Sequence, residues 1–197
     1  MPRHSDETLE SHILEAAYQL WTQGGEKALT VRAVARAART TTPTVYERFR
    51  DKREILERIR RRALQKLFDL LRRTGSLEDF PQTYLDFAVS HPHEYRLVHA
   101  DWAVRFGRNE PRPSFDLLRE RLAGRFGGAP AEYTRLALSM AALAHGTATL
   151  LLGEDVHAGV GSSLREAFNA SFRALLEHAA ESRKQKQRSP QKKIREA

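Results

Sequence analysis

Hydrophobic side chains recur at helical spacing along most of this chain. The first series predicts a helix over residues 6–23 that ends at Gly24-Gly25; its apolar positions are Leu9, Ile13, Ala16, Ala17, Leu20 and Trp21. Later series predict helices at about 31–37, 42–49, 52–75, 77–90, 92–104, 114–125, 131–152 and 163–181. No segment alternates between apolar and polar residues as a strand would. The pattern therefore predicts an all-α protein of about nine helices.

Capping residues indicate where the short N-terminal helices begin. Thr30 is placed to cap the second helix, and either Thr41 or Thr42 to cap the third. Asp51 followed by Glu54 resembles a capping box at the start of a long fourth helix. Two short helices joined by a tight turn and packed on a preceding helix form a helix-turn-helix, whose second helix enters the major groove of DNA. Residues 1–56 are therefore predicted to bind DNA.

The surface of the third helix suits this role. Val45 and Phe49 are four residues apart and face inward, which leaves threonine hydroxyls and Tyr46 outside. Hydroxyl groups can bond phosphates or base edges, and threonine methyls can contact a thymine methyl. Basic residues surround this helix, namely Arg32, Arg39, Arg48, Arg50 and Lys52. The charge that DNA binding requires is therefore placed next to the predicted recognition helix.

The segment 38–52 resembles the DNA-binding segment of TetR-family transcriptional regulators. The recurring pattern of that family is met by Thr44, Val45, Tyr46, Phe49 and Lys52. The resemblance implies that Thr42, Pro43 and Tyr46 lie closest to the bases, that Arg32 reaches a guanine, and that Thr30, Thr44, Tyr46 and Lys52 bind phosphates. With Thr41 and Arg48, these residues make up the predicted DNA-binding set. The family usually has glycine in the turn where this chain has Arg39, which predicts either a left-handed residue or a different turn.

The second half of the chain resembles a C-terminal domain of some TetR-like regulators at residues 91–98 and 144–146. The resemblance implies an effector-binding and dimerisation domain over residues 57–182, joined to the helix-turn-helix by the long fourth helix. It also implies a homodimer through the helices at 131–152 and 163–181. Both helices are amphipathic, which independently favours an interface. A symmetric dimer would place two recognition helices on a pseudo-palindromic operator.

Candidate effector-pocket residues come from the aromatic side chains of the central helices and one histidine. They are Tyr84, Phe87, Tyr95, Trp102, Phe115 and His145. Each could instead be an ordinary core residue. His91, His93 and His99 invite a metal hypothesis, but positions 91 and 93 do not share a helix face. We expect no metal, no cofactor and a largely apolar small-molecule effector.

Composition and charge indicate where positive charge is concentrated and in which compartment the protein works. The 197 residues carry a net charge of +8, of which +6 lies in the segment 183–197, predicted to be a disordered basic tail. That tail either adds non-specific affinity for DNA or has no role. The chain lacks cysteine, a secretory leader and a membrane-spanning segment, so we expect a cytoplasmic protein.

No phosphate loop, nucleophile elbow or metalloprotease motif appears in the sequence, so we expect no enzyme. The predicted function is an effector-released repressor. The alternative functions are a constitutive or architectural DNA-binding dimer and an apolar-ligand carrier or enzyme.

Overall fold

The computed structural model describes residues 3–100, 104, 107–108, 110–153 and 158–195. Side chains are described within 8–185, except in the gaps between these ranges and at residue 158. Within this part of the chain there are nine α-helices and no strand, which confirms the predicted all-α class. The helices are α1 Arg3–Ala28, α2 Val31–Ala37, α3 Thr42–Arg48, α4 Lys52–Arg72, α5 Phe80–Ser90, α6 Pro92–His99, α7 Pro113–Phe126, α8 Thr134–Leu151 and α9 Ala158–Arg195. A 3-10 turn, Pro130–Tyr133, precedes α8.

The break predicted at Gly24-Gly25 lies within α1 and is local. Gly25 has φ 59° and ψ −143°, so the regular helix is interrupted there although a further turn follows it. A Cβ atom at Gly25 would lie 2.7 Å from His93 Nδ1. Glycine is therefore required at this position both by the backbone conformation and by the close approach of α6.

Two helices end elsewhere than the sequence predicted. α6 ends at His99 rather than near 104, because Ala100 adopts an extended conformation with ψ 130°. α9 runs from Ala158 to Arg195 and so continues through residues 183–195, where the sequence predicted disorder. Lysine, arginine and glutamine have high helix propensity, and extending an existing helix requires no new nucleus. A strongly polar segment can therefore still continue a helix.

The chain packs as two compact units. The N-terminal unit comprises Met1–Lys66 and Ser90–Glu110, and the C-terminal unit comprises Leu67–Val89 and Pro111–Ala197. This division differs from the predicted functional boundary after residue 56, since α6 and most of α4 belong to the N-terminal unit. The core of that unit is formed by side chains of the first four helices and of α6. Its largest fully buried side chains are Ile13, Leu29, Phe49, Ile55 and Ile59.

The C-terminal unit is built on aromatic and aliphatic side chains from α5, α7, α8 and α9. Those buried in it include Leu85, Phe87, Phe115, Leu122, Met140, Phe168, Phe172 and Leu176. Apolar residues recur at helical spacing in each of these helices, so one face of each helix is removed from water. None of the described helices combines the length and apolar character needed to cross a membrane.

Candidate DNA-binding surface and its family

The N-terminus of α2 is capped by Thr30. The Ala33 N–H donates a hydrogen bond to Thr30 Oγ1 over 3.1 Å, and Thr30 itself has extended backbone angles. The hydroxyl hydrogen is not used in this bond, and the residue is exposed. Thr30 can therefore cap its helix and donate to a phosphate at the same time.

The recognition helix α3 begins in the same way at Thr41. The Thr44 N–H donates to Thr41 Oγ1 over 3.3 Å, and the two threonine hydroxyl oxygens are 2.9 Å apart. Thr41, rather than Thr42, is thus the N-cap, and Pro43 occupies the first turn, where no amide hydrogen is needed. The pair uses one hydroxyl hydrogen internally and leaves the other for a ligand.

The outward face of α3 agrees with the sequence prediction. Val45 and Phe49 are buried in the core, whereas Tyr46 is 53 % exposed and Pro43 is also exposed. Thr42 is half-buried beside them. About half of this large aromatic side chain is thus left in contact with water in the single chain. It is available to contact a partner.

The basic side chains near α3 fall into two groups. Arg32 is exposed on α2, and Lys52 lies 3.9 Å from the carboxylate of Glu26, a loose pair that a phosphate could displace. Arg48 differs because its side chain is only 18 % exposed and its Nη1 donates to the Thr44 carbonyl over 3.3 Å. In this conformation Arg48 supports α3, so its predicted contact with DNA would require a change of rotamer.

The turn between α2 and α3 is a Schellman motif. The Thr40 N–H donates to the Ala35 carbonyl over 2.9 Å, and the Arg39 N–H donates to the Arg36 carbonyl over 3.1 Å. Arg39 holds the left-handed position with φ 52°. Of the two alternatives open from the sequence, the structure has the left-handed residue with the usual turn geometry.

Sequence reasoning missed a buried polar cluster between α1, α4 and α6, which we call the Glu94 cluster and define as Tyr18, Lys66, His91 and Glu94. Glu94 is 2 % exposed and accepts a hydrogen bond from the Tyr18 hydroxyl. Lys66 Nζ lies 2.8 Å from its Oε1, and His91 Nδ1 lies 3.2 Å from its Oε2. Burial, and then the bond to the carboxylate, raise the pKa of Tyr18 well above its ordinary value.

α6 is held on α1 by a further bond. The Trp21 indole N–H donates to the His93 carbonyl over 2.8 Å. The only signal for the Glu94 cluster in the sequence is that Glu94 falls on the same helical face as the apolar residues Leu97 and Val98.

Both parts of the chain match known protein families. Residues 13–59 match the family described as "Bacterial regulatory proteins, tetR family", and residues 77–179 match the "Tetracyclin repressor-like, C-terminal domain". The chain belongs to the TetR family of transcriptional regulators. The second match alone spans more than half of the chain. The resemblance inferred from residues 38–52 is thereby confirmed.

Solved structures show the same TetR fold. A protein of unknown function from Rhodococcus sp. RHA1 is 21% identical, with 87% of this chain and 95% of that chain covered and a TM-score of 0.66. A TetR variant from Acinetobacter baumannii AYE in complex with minocycline is 18% identical, with 87% and 96% covered and a TM-score of 0.62. A TetR-family regulator from Streptomyces coelicolor is 22% identical, with 86% and 98% covered and a TM-score of 0.58. A comparison with curated protein sequences found no significant match.

The candidate effector residues of this TetR-family chain are scattered. In the C-terminal unit Phe87 and Phe115 are buried, Tyr84 is half-buried and His145 is exposed, whereas the buried Tyr95 belongs to the N-terminal unit. Trp102 lies outside the described residues. An exposed His145 differs from the expected core or pocket position.

An open groove of about 440 Å³ lies in the C-terminal unit, lined by residues 74–78 with Arg121 and Arg125, and it contains none of the five candidates that the structure describes. Arg121 caps the end of α4 there. Its Nη1 donates to the Thr74 carbonyl over 3.0 Å and its Nη2 to the Arg72 carbonyl over 2.9 Å. Both arginines that line the groove are therefore already bonded, Arg121 to the backbone and Arg125 to the carboxylate of Glu78.

The histidines considered for a metal site have other partners. His91 pairs with Glu94, and His93 packs against Gly25. His99 stacks beside Tyr95 with ring centroids 4.4 Å apart. Across the residues the structure describes, no three His, Asp or Glu side chains are grouped as metal ligands.

Proposed function

We propose that this TetR-family regulator is a homodimeric repressor that binds a pseudo-palindromic operator and is released by a small-molecule effector. The single observation that carries the DNA-binding part is the surface of α3. Tyr46 and Pro43 are exposed beside Thr42, and the threonine and tyrosine hydroxyl groups of this face can donate hydrogen bonds to phosphates or base edges. Predicted DNA-binding residues that are exposed on α2 and α3, among them Arg32 and Tyr46, support this assignment.

The dimer is supported by the outward face of α8. Residues at helical spacing on this face are exposed and uncharged, among them Ala142, Gly146 and Leu150, and Leu150 is 57 % exposed. A Cβ atom at Gly146 would meet nothing within 4 Å in the single chain. On α9, Val160 is 52 % exposed as well. Small and apolar exposed residues allow close helix approach, as expected for the pairing of two copies.

Effector control is supported by the family and by the separate C-terminal unit. An effector that binds one conformation better than another lowers operator affinity by the same coupling free energy through which DNA opposes effector binding. The Acinetobacter relative holds minocycline. Minocycline is therefore a reasonable first probe in a thermal-unfolding screen of apolar compounds. A stabilising compound that also releases DNA would support the repressor, whereas operator binding insensitive to every stabilising compound would favour the constitutive alternative.

The DNA-binding part is tested by selecting binding sites from random duplex DNA and titrating the selected site against Thr42→Ala/Tyr46→Ala. We expect an inverted repeat from the wild type and no specific binding by the double variant. Glu120→Gln is the control, because Glu120 is exposed on a helix of the C-terminal unit and is not among the predicted DNA-binding residues. Circular dichroism verifies the fold of both variants. Unchanged operator affinity in a folded double variant would refute the site.

A further inference from the structure

Arg32, Arg36 and Arg39 form a row of exposed arginines, here called the arginine row. Arg32 and Arg36 are four residues apart and so lie on one face of α2, and Arg39 lies in the turn that follows this helix. Nothing in the described part of the chain forms an ion pair or a side-chain hydrogen bond with their guanidinium groups.

Arg39 is unfavourable for the isolated protein. It occupies the left-handed position of the Schellman motif with φ 52°, where glycine has no steric penalty and an arginine does. The side chain forms no internal ion pair or hydrogen bond that would offset this strain. Residues that keep a strained backbone against local preference point to a requirement imposed by function.

Arg36 adds to the same positive surface. It lies in the last turn of α2, where the helix dipole favours a cation, but it is also four residues from Arg32, and like charges at that spacing repel. A negatively charged partner on this side would relieve the repulsion. The row ends two residues before Thr41, the N-cap of the recognition helix.

We propose that the arginine row extends the predicted DNA contact of Arg32, in that Arg36 and Arg39 bind backbone phosphates beside the groove that receives α3. The proposal rests on the proposed function, since DNA is the anion. Guanidinium groups bind phosphate oxygens in a bidentate manner. Such contacts raise affinity and fix the register of the protein without reading sequence. Arg39 thus lowers the stability of the turn but raises the affinity of the protein for DNA.

The test compares wild type, Arg36→Gln, Arg39→Gly, their double variant and Arg39→Lys in operator titrations at 50 and 200 mM salt. Arg73→Gln is the control, because Arg73 is exposed on the C-terminal unit and its substitution removes the same charge. Removing one arginine–phosphate interaction lowers the slope of log affinity against log salt by about 0.9, or by about 1.8 for a dimer bound through both protomers. DNA affinity falls when the salt concentration is raised from 50 to 200 mM. For the dimer, each single substitution should make that fall about 12 times smaller than in the wild type.

Arg39→Gly separates the two effects of this residue. We expect its melting temperature to rise, because glycine removes the left-handed strain, while its DNA affinity falls for operator and non-operator duplexes alike. Arg39→Lys should keep most of the affinity. An unchanged salt slope in the double variant, with specific binding by the wild type intact, would overturn the arginine row alone. Loss of sequence discrimination would overturn the assignment to phosphates, and failure of the wild type to bind DNA would overturn both proposals.

Discussion

The Glu94 cluster should contribute measurably to the stability of the N-terminal unit. Glu94→Ala removes the acceptor of the buried Tyr18 hydroxyl and the partner of Lys66. A hydrogen bond to a charged group contributes about 1.5–3 kcal/mol. The Lys66 side chain is 37 % exposed and can regain water, so its pair adds about 0–1 kcal/mol rather than the value for a fully buried pair. We therefore expect a loss of about 2–3 kcal/mol in the free energy of unfolding.

For a chain of this length the loss corresponds to a fall in melting temperature of about 5–10 °C. The assay is the fluorescence of buried Trp21 in a Trp102→Phe background, because Trp21 reports on the N-terminal unit, with circular dichroism followed in parallel. Glu120→Ala is the matched control, since Glu120 is an exposed helical glutamate.

A double-mutant cycle tests whether the cluster acts as a unit. Tyr18→Phe alone should cost about 1.5–3 kcal/mol, and much less in the Glu94→Ala background, because the bond it removes is already absent there. Additive effects of the two substitutions would show that the Tyr18–Glu94 bond does not contribute. A melting temperature of Glu94→Ala equal to that of Glu120→Ala would refute the reasoning altogether.

Three further predictions concern the C-terminal unit. Arg121→Ala should lower stability by about 1–2 kcal/mol in urea unfolding, because carbonyl groups at the end of α4 lose their charged donor; an unchanged midpoint would contradict this. Leu150→Glu should shift sedimentation from dimer to monomer, whereas Val104→Glu, another exposed apolar site, should not; a Leu150→Glu dimer would place the interface elsewhere. Although part of the His145 side chain reaches solvent, the loss of water around its ring lowers its pKa, so the folded state binds protons less readily than the unfolded chain. Stability present above pH 6.5 should then be lost as the pH falls through the lowered pKa, and His145→Gln should lessen that loss in melts at pH 7.5 and 5.5.

Local chemistry made much of the N-terminal unit predictable. Thr30 caps α2 and Asp51 caps α4 through hydrogen bonds to amides only three residues further along the chain; the Glu54 N–H donates to Asp51 Oδ1 over 2.9 Å. Both helices therefore begin where the sequence predicted them. The inward orientation of Val45 and Phe49 also followed from spacing alone, because a helix repeats its faces every three to four residues.

The end of α6 and the length of α9 were not predictable in the same way. The end of α6 at His99 depends on the extended backbone of Ala100, and no proline or glycine marks that position. The continuation of α9 depends on propagation from a packed helix, which a composition that also suits disorder does not reveal.

The all-α class, the helix-turn-helix and the family could be inferred from the sequence, because periodicity, caps and the segment 38–52 are local in the chain. The burial of Glu94 against Tyr18, 76 residues away, and the division of the candidate effector residues between two units became visible in the three-dimensional structure. Such facts depend on which helix faces meet in space. Periodicity shows that a face is apolar, but the partner that covers it is chosen by packing among all the helices at once.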